Sequence, residues 1–169
     1  MNSLHHIDTP LGRLRVEFSC LGLVSISLST TENVGVSGLR DRECSDRLTA
    51  VKTYINDHFY GRDPGRRDIA LDMRGISIFR KKVYEELMKV GFGELVTYGE
   101  LARRAGCPGG ARAVGNAMNR NPYLLVVPCH RVVGSGRGGR YELGGFGAGL
   151  PAKRLLLRLE GHFDDVYGL

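Results

Sequence analysis

Four cysteines stand in this sequence of 169 residues, Cys20, Cys44, Cys107 and Cys129, and Cys129 has the neighbours that chemistry needs. A thiol attacks as its thiolate, so its ordinary pKa of about 8.5 must be lowered or a base supplied. His130 follows directly, and Glu160 lies downstream. A Cys-His-Glu relay lets the imidazole take the thiol proton while the carboxylate holds its tautomer. The dipeptide alone is weak evidence in a chain with five histidines. Adjacent residues on a strand also point apart, so a bridging water suits the pair better than a direct bond. The same three residues leave a cysteine hydrolase open, which needs an oxyanion hole and a water route to the acyl-enzyme.

The other thiols offer less. No C-x-x-C pair occurs, which argues against a zinc knuckle or a thioredoxin-like redox pair. Cys20 and Cys44 stay open as a disulfide, or as a metal site with His5, His6 or His58. Two buried thiols packing as small apolar residues is the favoured reading. No metal site is expected.

The elements around Cys129 follow from pattern. Asn121 to Val133 is a short apolar run bracketed by Pro122 and Pro128. It reads as strand-like, with Cys129 at a rigid, partly buried turn. Upstream, Ser77 caps a helix whose Phe79, Val83 and Leu87 form one stripe, with Tyr84 and Met88 beside it. Thr97-Tyr98-Gly99-Glu100 is a T-x-x-E capping box that opens a short helix through Ala105. After a turn at Gly106 to Gly110, a second helix runs from Ala111 to Arg120, with Val114, Ala117 and Met118 inward. Two short helices joined by a glycine-rich turn describe a helix-turn-helix. The outer face of the second carries Arg112, Gly115, Asn116 and Asn119. A glycine inside a helix costs about 1 kcal/mol against alanine, which favours close contact with another surface, DNA included, over a merely solvated face.

The first part of the chain has a different character. Leu14, Val16 and Phe18 alternate with polar residues, as do Val24, Ile26 and Leu28, and a short link near Leu21-Gly22 makes them a β-hairpin. Thr30 to Gly38 reads as a loop. Leu48, Val51, Ile55 and Phe59 recur at helical spacing from Ser45, and Gly61 supplies the stop. A short strand is expected at Ile69 to Leu71. The chain is therefore an α/β protein: a small N-terminal α/β domain (residues 1–75; hairpin or short sheet plus helix) and a helix-rich C-terminal domain (residues 76–169) with the helix-turn-helix.

Composition sets the class. With 42% hydrophobic residues the chain can bury a core as one domain or two small ones. It contains no apolar run of about 18 residues, so no membrane span is expected. The first ten residues lack a basic region leading into an apolar stretch, and a cytoplasmic protein is expected. A net charge of +6 favours polyanion partners through phosphate contacts.

Pro128-Cys129-His130-Arg131-Val132-Val133 resembles the signature of the O6-alkylguanine-DNA alkyltransferases. Further stretches resemble the family in the same order: Val96 to Ala102, Ala111 to Gly115, Asn121-Pro122 and Leu159-Glu160-Gly161. Together they cover Ile78 to Gly161, and residues 1–75 match only in predicted layout. The resemblance implies direct DNA repair, in which Cys129 irreversibly accepts the alkyl group of O6-alkylguanine (O4-alkylthymine being a further substrate to weigh) in double-stranded DNA. His130, through water, would take the thiol proton, with Glu160 orienting the imidazole. Asn121 would support the turn holding the cysteine, and Tyr98 would donate its hydroxyl proton toward the leaving guanine. Arg112 would enter the duplex in place of the flipped nucleotide. Its helix would lie in the minor groove, where small Ala111, Ala113 and Gly115 allow close approach and Asn116 and Asn119 add polar contacts. Backbone groups of Cys129 and Val132 would read the guanine edge. Pro128, Val132, Phe146 and Gly147 would line the pocket, with Gly147 standing where the family often has a small polar residue. The protein would act once, as a monomer, without a cofactor. The contrasting reading is a non-catalytic helix-turn-helix protein that recognises alkylated DNA; such relatives lack the acceptor cysteine.

Overall fold

The computed structural model describes residues 2–29, 42–65, 68–136, 138, 140–162 and 166–167, with the side chains of 42–44 and 167 left aside. The chain divides into two compact units, Met1–Arg74 with Pro122–Leu124, and Gly75–Asn121 with Leu125–Leu169. No described helix is long and apolar enough to cross a membrane.

In the first unit, β1 (Ser3–Thr9), β2 (Gly12–Ser19) and β3 (Gly22–Leu28) form an antiparallel meander. The expected hairpin is β2–β3; β1 was not expected, because its His-rich pattern lacks clear alternation. Leu14, Val16, Phe18 and Ile26 are buried as the alternation requires. Val24 is not: a register shift at Glu17/Phe18 pairs Phe18 with Leu23, so Leu23 takes the inward place. The expected strand at Ile69 to Leu71 is an isolated bridge, Leu71 to Leu23. Leu23 N donates to Ala70 O at 2.8 Å and Asp72 N to Leu23 O at 2.8 Å. Farther along β3, Ile26 N donates to Pro122 O at 2.7 Å, so the exposed edge of the sheet is partly covered.

Helix α1 (Arg42–Phe59) begins before Ser45, buries Val51 and Ile55, and ends before Gly61, which adopts φ 64°. From it, Arg47 Nη1 reaches the carbonyls of Ser19 and Cys20, each at 3.1 Å, and fixes the β2–β3 turn. Cys20 is exposed and free, while the Cys44 side chain and the expected loop Thr30 to Gly38 lie outside the described residues. Among the described residues, no three ligands drawn from Cys20, His5, His6 and His58 converge.

Among its described residues, the second unit holds four α-helices and a small sheet. Ser77 accepts from Arg80 N and caps α2 (Ile78–Leu87), which buries Val83, Tyr84 and Leu87. Strand β4 (Val96–Thr97) leads into α3 (Tyr98–Arg104), and α4 (Ala111–Asn119) follows after a short turn. Thr97 Oγ1 accepts from Glu100 N at 3.1 Å. The Glu100 carboxylate turns instead to Arg104, accepting from its Nε at 3.1 Å. Tyr84 OH donates to Ala117 O at 2.9 Å and ties α2 to α4.

Two expectations need correction here. The apolar run after Asn121 is not a strand: Leu124 to Val126 is a turn, with Leu125 at φ 71°, and Cys129–Arg131 is a 3-10 turn. From Tyr123 onward the run is buried, and apolar residues buried on every side carry no periodicity. The C-terminal half is also less purely helical than expected. After the 3-10 turn, β5 (Val132–Ser135), β6 (Tyr141–Glu142) and β7 (Val166–Tyr167) extend β4 into one sheet, ordered β4-β5-β6-β7. Strands of two residues leave too little pattern to read. Helix α5 (Leu150–Leu159), with Pro151 in its first turn, packs Leu157 with Leu143 and Val166.

Candidate active site

Cys129 begins the 3-10 turn, and short contacts fix it there. Its N–H donates to Val127 O at 2.8 Å, and Arg131 N donates to Pro128 O at 3.0 Å. Asn121 Nδ2 binds the same Val127 carbonyl at 2.8 Å and Cys129 Sγ at 3.2 Å. One amide thus holds both the turn and the sulfur. Cys129 is 5% exposed. Burial pushes its thiol up, against the opposing pull of the Asn121 bond and the charge of Lys153. At neutral pH the group rests as a thiol and needs a base.

A candidate base is at hand. His130 is fully buried, and burial pulls its pKa down although Glu160 opposes the shift. Its Nε2 lies 2.8 Å from Glu160 Oε1. A neutral imidazole donating Nε2–H to a carboxylate keeps its basic lone pair on Nδ1. Glu160 caps the end of α5 and is buried. Burial alone would raise its carboxyl, but His130 and Arg131 outweigh that and hold it well below the usual carboxylate range. Since His130 is neutral at pH 7, the lasting counter-charge is Arg131. The guanidinium reaches both carboxylate oxygens, with Nε–Oε2 at 2.9 Å and Nη2–Oε1 at 2.9 Å, and Nη1 donates to Val90 O at 2.7 Å. Gly93 N adds a bond to Oε2 at 3.1 Å.

The parallel pairs Val96↔Val132 and Thr97↔Val133 bring the start of α3 to the strand that leaves the Cys129 turn. Tyr98 follows immediately, and its hydroxyl donates to Gly145 O at 3.3 Å. Burial, then the nearby Cys129, raises its pKa, so it remains a proton donor. Gly144 makes this approach feasible: it sits at φ 64°, and a Cβ there would lie 2.9 Å from the Tyr98 hydroxyl oxygen. Phe146 is half-buried, its ring edge-on to His130 with centroids 6.4 Å apart. Pro128 and Val132 are buried, whereas Gly147 is exposed and faces the end of α4, where a Cβ would meet Asn119 O at 3.9 Å. On α4, Arg112, Asn116 and Asn119 are exposed, and Ala111, Ala113 and Gly115 are half-buried.

Cys129, His130, Glu160, Asn121, Tyr98, Phe146 and Val132 therefore belong to one constellation, while Arg112, Asn116 and Asn119 lie on an outer helix face. Sequence reasoning gave no role to Arg131, Gly144 or Lys153. Lys153 is fully buried, with Nζ 2.6 Å from Val132 O and 3.4 Å from Gly145 O. A signal existed: Lys153, Leu156, Leu157 and Glu160 recur at helical spacing, so this lysine occupies the apolar stripe of α5.

A buried thiol beside a histidine–glutamate pair is the arrangement of a protein that uses a cysteine nucleophile. The family is narrower. Residues 78–162 match the family described as 6-O-methylguanine DNA methyltransferase, DNA binding domain, and the chain belongs to it. It is 48% identical over 93 residues to a methylated-DNA–protein-cysteine methyltransferase of Mycolicibacterium paratuberculosis, an alignment covering 55% of this chain and 53% of the relative. A protein of the same name from Haemophilus influenzae is 41% identical over 110 residues, 65% of this chain and 59% of its own. The chain thus spans a little over half the length of these curated relatives. Among solved structures, Mycobacterium tuberculosis OGT in complex with DNA is 34% identical, covering 92% of this chain and 90% of that one, with a TM-score of 0.73. The O6-methylguanine-DNA methyltransferase of Pyrococcus kodakaraensis is 28% identical over 96% of this chain and all of its own, with a TM-score of 0.65.

Proposed function

We propose that this protein repairs DNA by moving the alkyl group of O6-alkylguanine onto Cys129. The observation that carries the reading is the joint placement of a buried thiol and, one residue on in the same turn, an imidazole fixed on Glu160. The thiol proton passes through water to His130 Nδ1. The Cys129 sulfur then attacks the O-alkyl carbon, forming an S–C bond as the C–O6 bond breaks, and its electron pair leaves with the guanine. Tyr98 supplies a proton to the departing base, so that one proton moves overall from thiol to guanine. The products are guanine and a thioether, with no cofactor consumed. A thioether is stable to water, and the protein acts once.

Helices α3 and α4 serve as the helix-turn-helix, with α4 against the minor groove and Arg112 replacing the flipped base. Gly115 supports close approach. A Cβ there would meet nothing nearer than Tyr98 Cε1 at 4.0 Å, so interior packing does not demand glycine, and its helix cost of about 1 kcal/mol is left for an outside surface. The M. tuberculosis relative was solved with DNA, which favours the same partner for this chain, bound as a monomer in the cytoplasm.

Titration of a duplex carrying one O6-methylguanine tests the reading. Loss of the modified base should stop at one equivalent per protein and vanish in Cys129→Ala. Repeated turnover would point to a hydrolase, and DNA binding without any loss to a non-catalytic damage reader.

A further inference from the structure

The mechanism above uses Cys129, His130, Glu160 and Tyr98, yet the same unit buries one more ionisable group. Lys153 in α5 is fully buried, and among the described residues no carboxylate pairs with it. Its hydrogen-bond partners are two carbonyls. The nearer one belongs to Val132, the residue that closes the Cys129–Arg131 turn by donating its N–H to Cys129 O. An ammonium taken from water costs several kcal/mol unless an opposite charge repays it, and an apolar side chain of similar length would fill the space at less cost. The charge is therefore placed for a partner that is anionic only part of the time.

We propose that Lys153 is a positioning residue whose ammonium is the counter-charge for the thiolate of Cys129. The inference rests on the reading of Cys129 as the alkyl acceptor and adds a group to its activation. Burial pulls Lys153 down to about 8, with Cys129 pulling the other way, so the ammonium predominates at neutral pH. Lys153 in turn lowers the Cys129 thiol and disfavours a charged His130. One cation thus favours the thiolate and adds to the burial that keeps the neighbouring imidazole neutral. The other ionisable groups around the sulfur do not take this part. Tyr84 and Tyr98, from α2 and α3, are raised by burial and stay neutral, and Arg131 is committed to Glu160 and Val90 O.

The test follows the ultraviolet absorbance of the Cys129 thiolate against pH, taken as the difference from Cys129→Ser, in wild type, Lys153→Met and Lys153→Arg. In Lys153→Met the thiolate should form at higher pH. Methyl transfer from an O6-methylguanine duplex at neutral pH should slow at least about tenfold, the deficit closing as pH rises. Lys153→Arg should keep most of the wild-type profile. A thiolate titration identical to wild type, or a rate deficit equal at every pH, would overturn the proposal. Should Lys153→Met fail to fold, Cys129→Ser gives the reciprocal measurement: followed by NMR, Lys153 should titrate at lower pH than in wild type, and an unchanged titration would also overturn it. If wild type transfers no methyl group, the repair reading fails while the absorbance titration still decides the coupling of Lys153 to Cys129.

Discussion

In the first unit the buried carboxylate, Asp72, accepts from Ser19 Oγ at 2.6 Å and from Arg74, whose side chain is 66% exposed. In the second unit Glu160 is buried together with His130 and Arg131, which it binds. Arg74 keeps its hydration, and the same unit buries Leu14, Val16, Phe18 and Ile26, and His58 as well. The second unit withdraws a glutamate, an arginine, a histidine and a lysine from water within one neighbourhood. A fold does not need so many buried charges, since replacing a buried ion pair by apolar residues is often neutral or stabilising. The contrast separates a unit with a buried carboxylate whose cation stays hydrated from one that clusters buried ionisable groups around the Cys129 turn.

The sharpest test compares the two acids. Glu160→Gln leaves the Arg131 guanidinium buried without its counter-charge and should lower unfolding stability by about 3–5 kcal/mol in urea. Asp72→Asn leaves Arg74 free to turn to water and should cost about 1 kcal/mol. Equal losses would erase the distinction. Both carboxyls are held below their ordinary range, Asp72 chiefly by its Arg74 bond and Glu160 by His130 and Arg131 against burial. Each therefore contributes stability that is complete only above about pH 5 and is lost progressively as pH falls further. In Glu160→Gln the acid-side decline of stability should flatten.

Asn121→Ala comes next. It removes the donor to Val127 O and Cys129 Sγ, so it should cost about 1–2 kcal/mol and move the onset of thiolate formation to higher pH. A loss of stability with an unchanged thiol titration would reduce Asn121 to a turn support. The smallest effect has the opposite sign: Gly115→Ala should raise stability by up to about 1 kcal/mol while weakening binding to duplex DNA, as read by fluorescence anisotropy. Unchanged binding would remove α4 from the interface.

Much of this contrast was legible in sequence, and the illegible part has physical causes. The motif around Cys129 names its own partners, because His130, Asn121 and Glu160 act through contacts that the local chain and the end of α5 enforce. The Thr97 and Ser77 caps and the inward faces of α2 and α4 follow from helical period and capping chemistry. The β-bulge that exchanges Val24 for Leu23, the two-residue strands β4, β6 and β7, and the turn in the all-apolar run before Cys129 leave no period to detect. Arg131 and Lys153 received no role, because what buries a cation depends on what packs over it; the helical spacing of Lys153 with Leu156, Leu157 and Glu160 was the one signal left unused.

The most direct measurement is the intact mass of the protein after mixing with a duplex that carries one O6-methylguanine, followed by peptide mapping. We expect every active molecule to gain one methyl in place of one hydrogen, located on Cys129 and accompanied by stoichiometric unmodified guanine in the DNA. An unchanged mass while the duplex binds, or a methyl group mapped to Cys20, Cys44 or Cys107, would contradict the assignment of Cys129 as the acceptor.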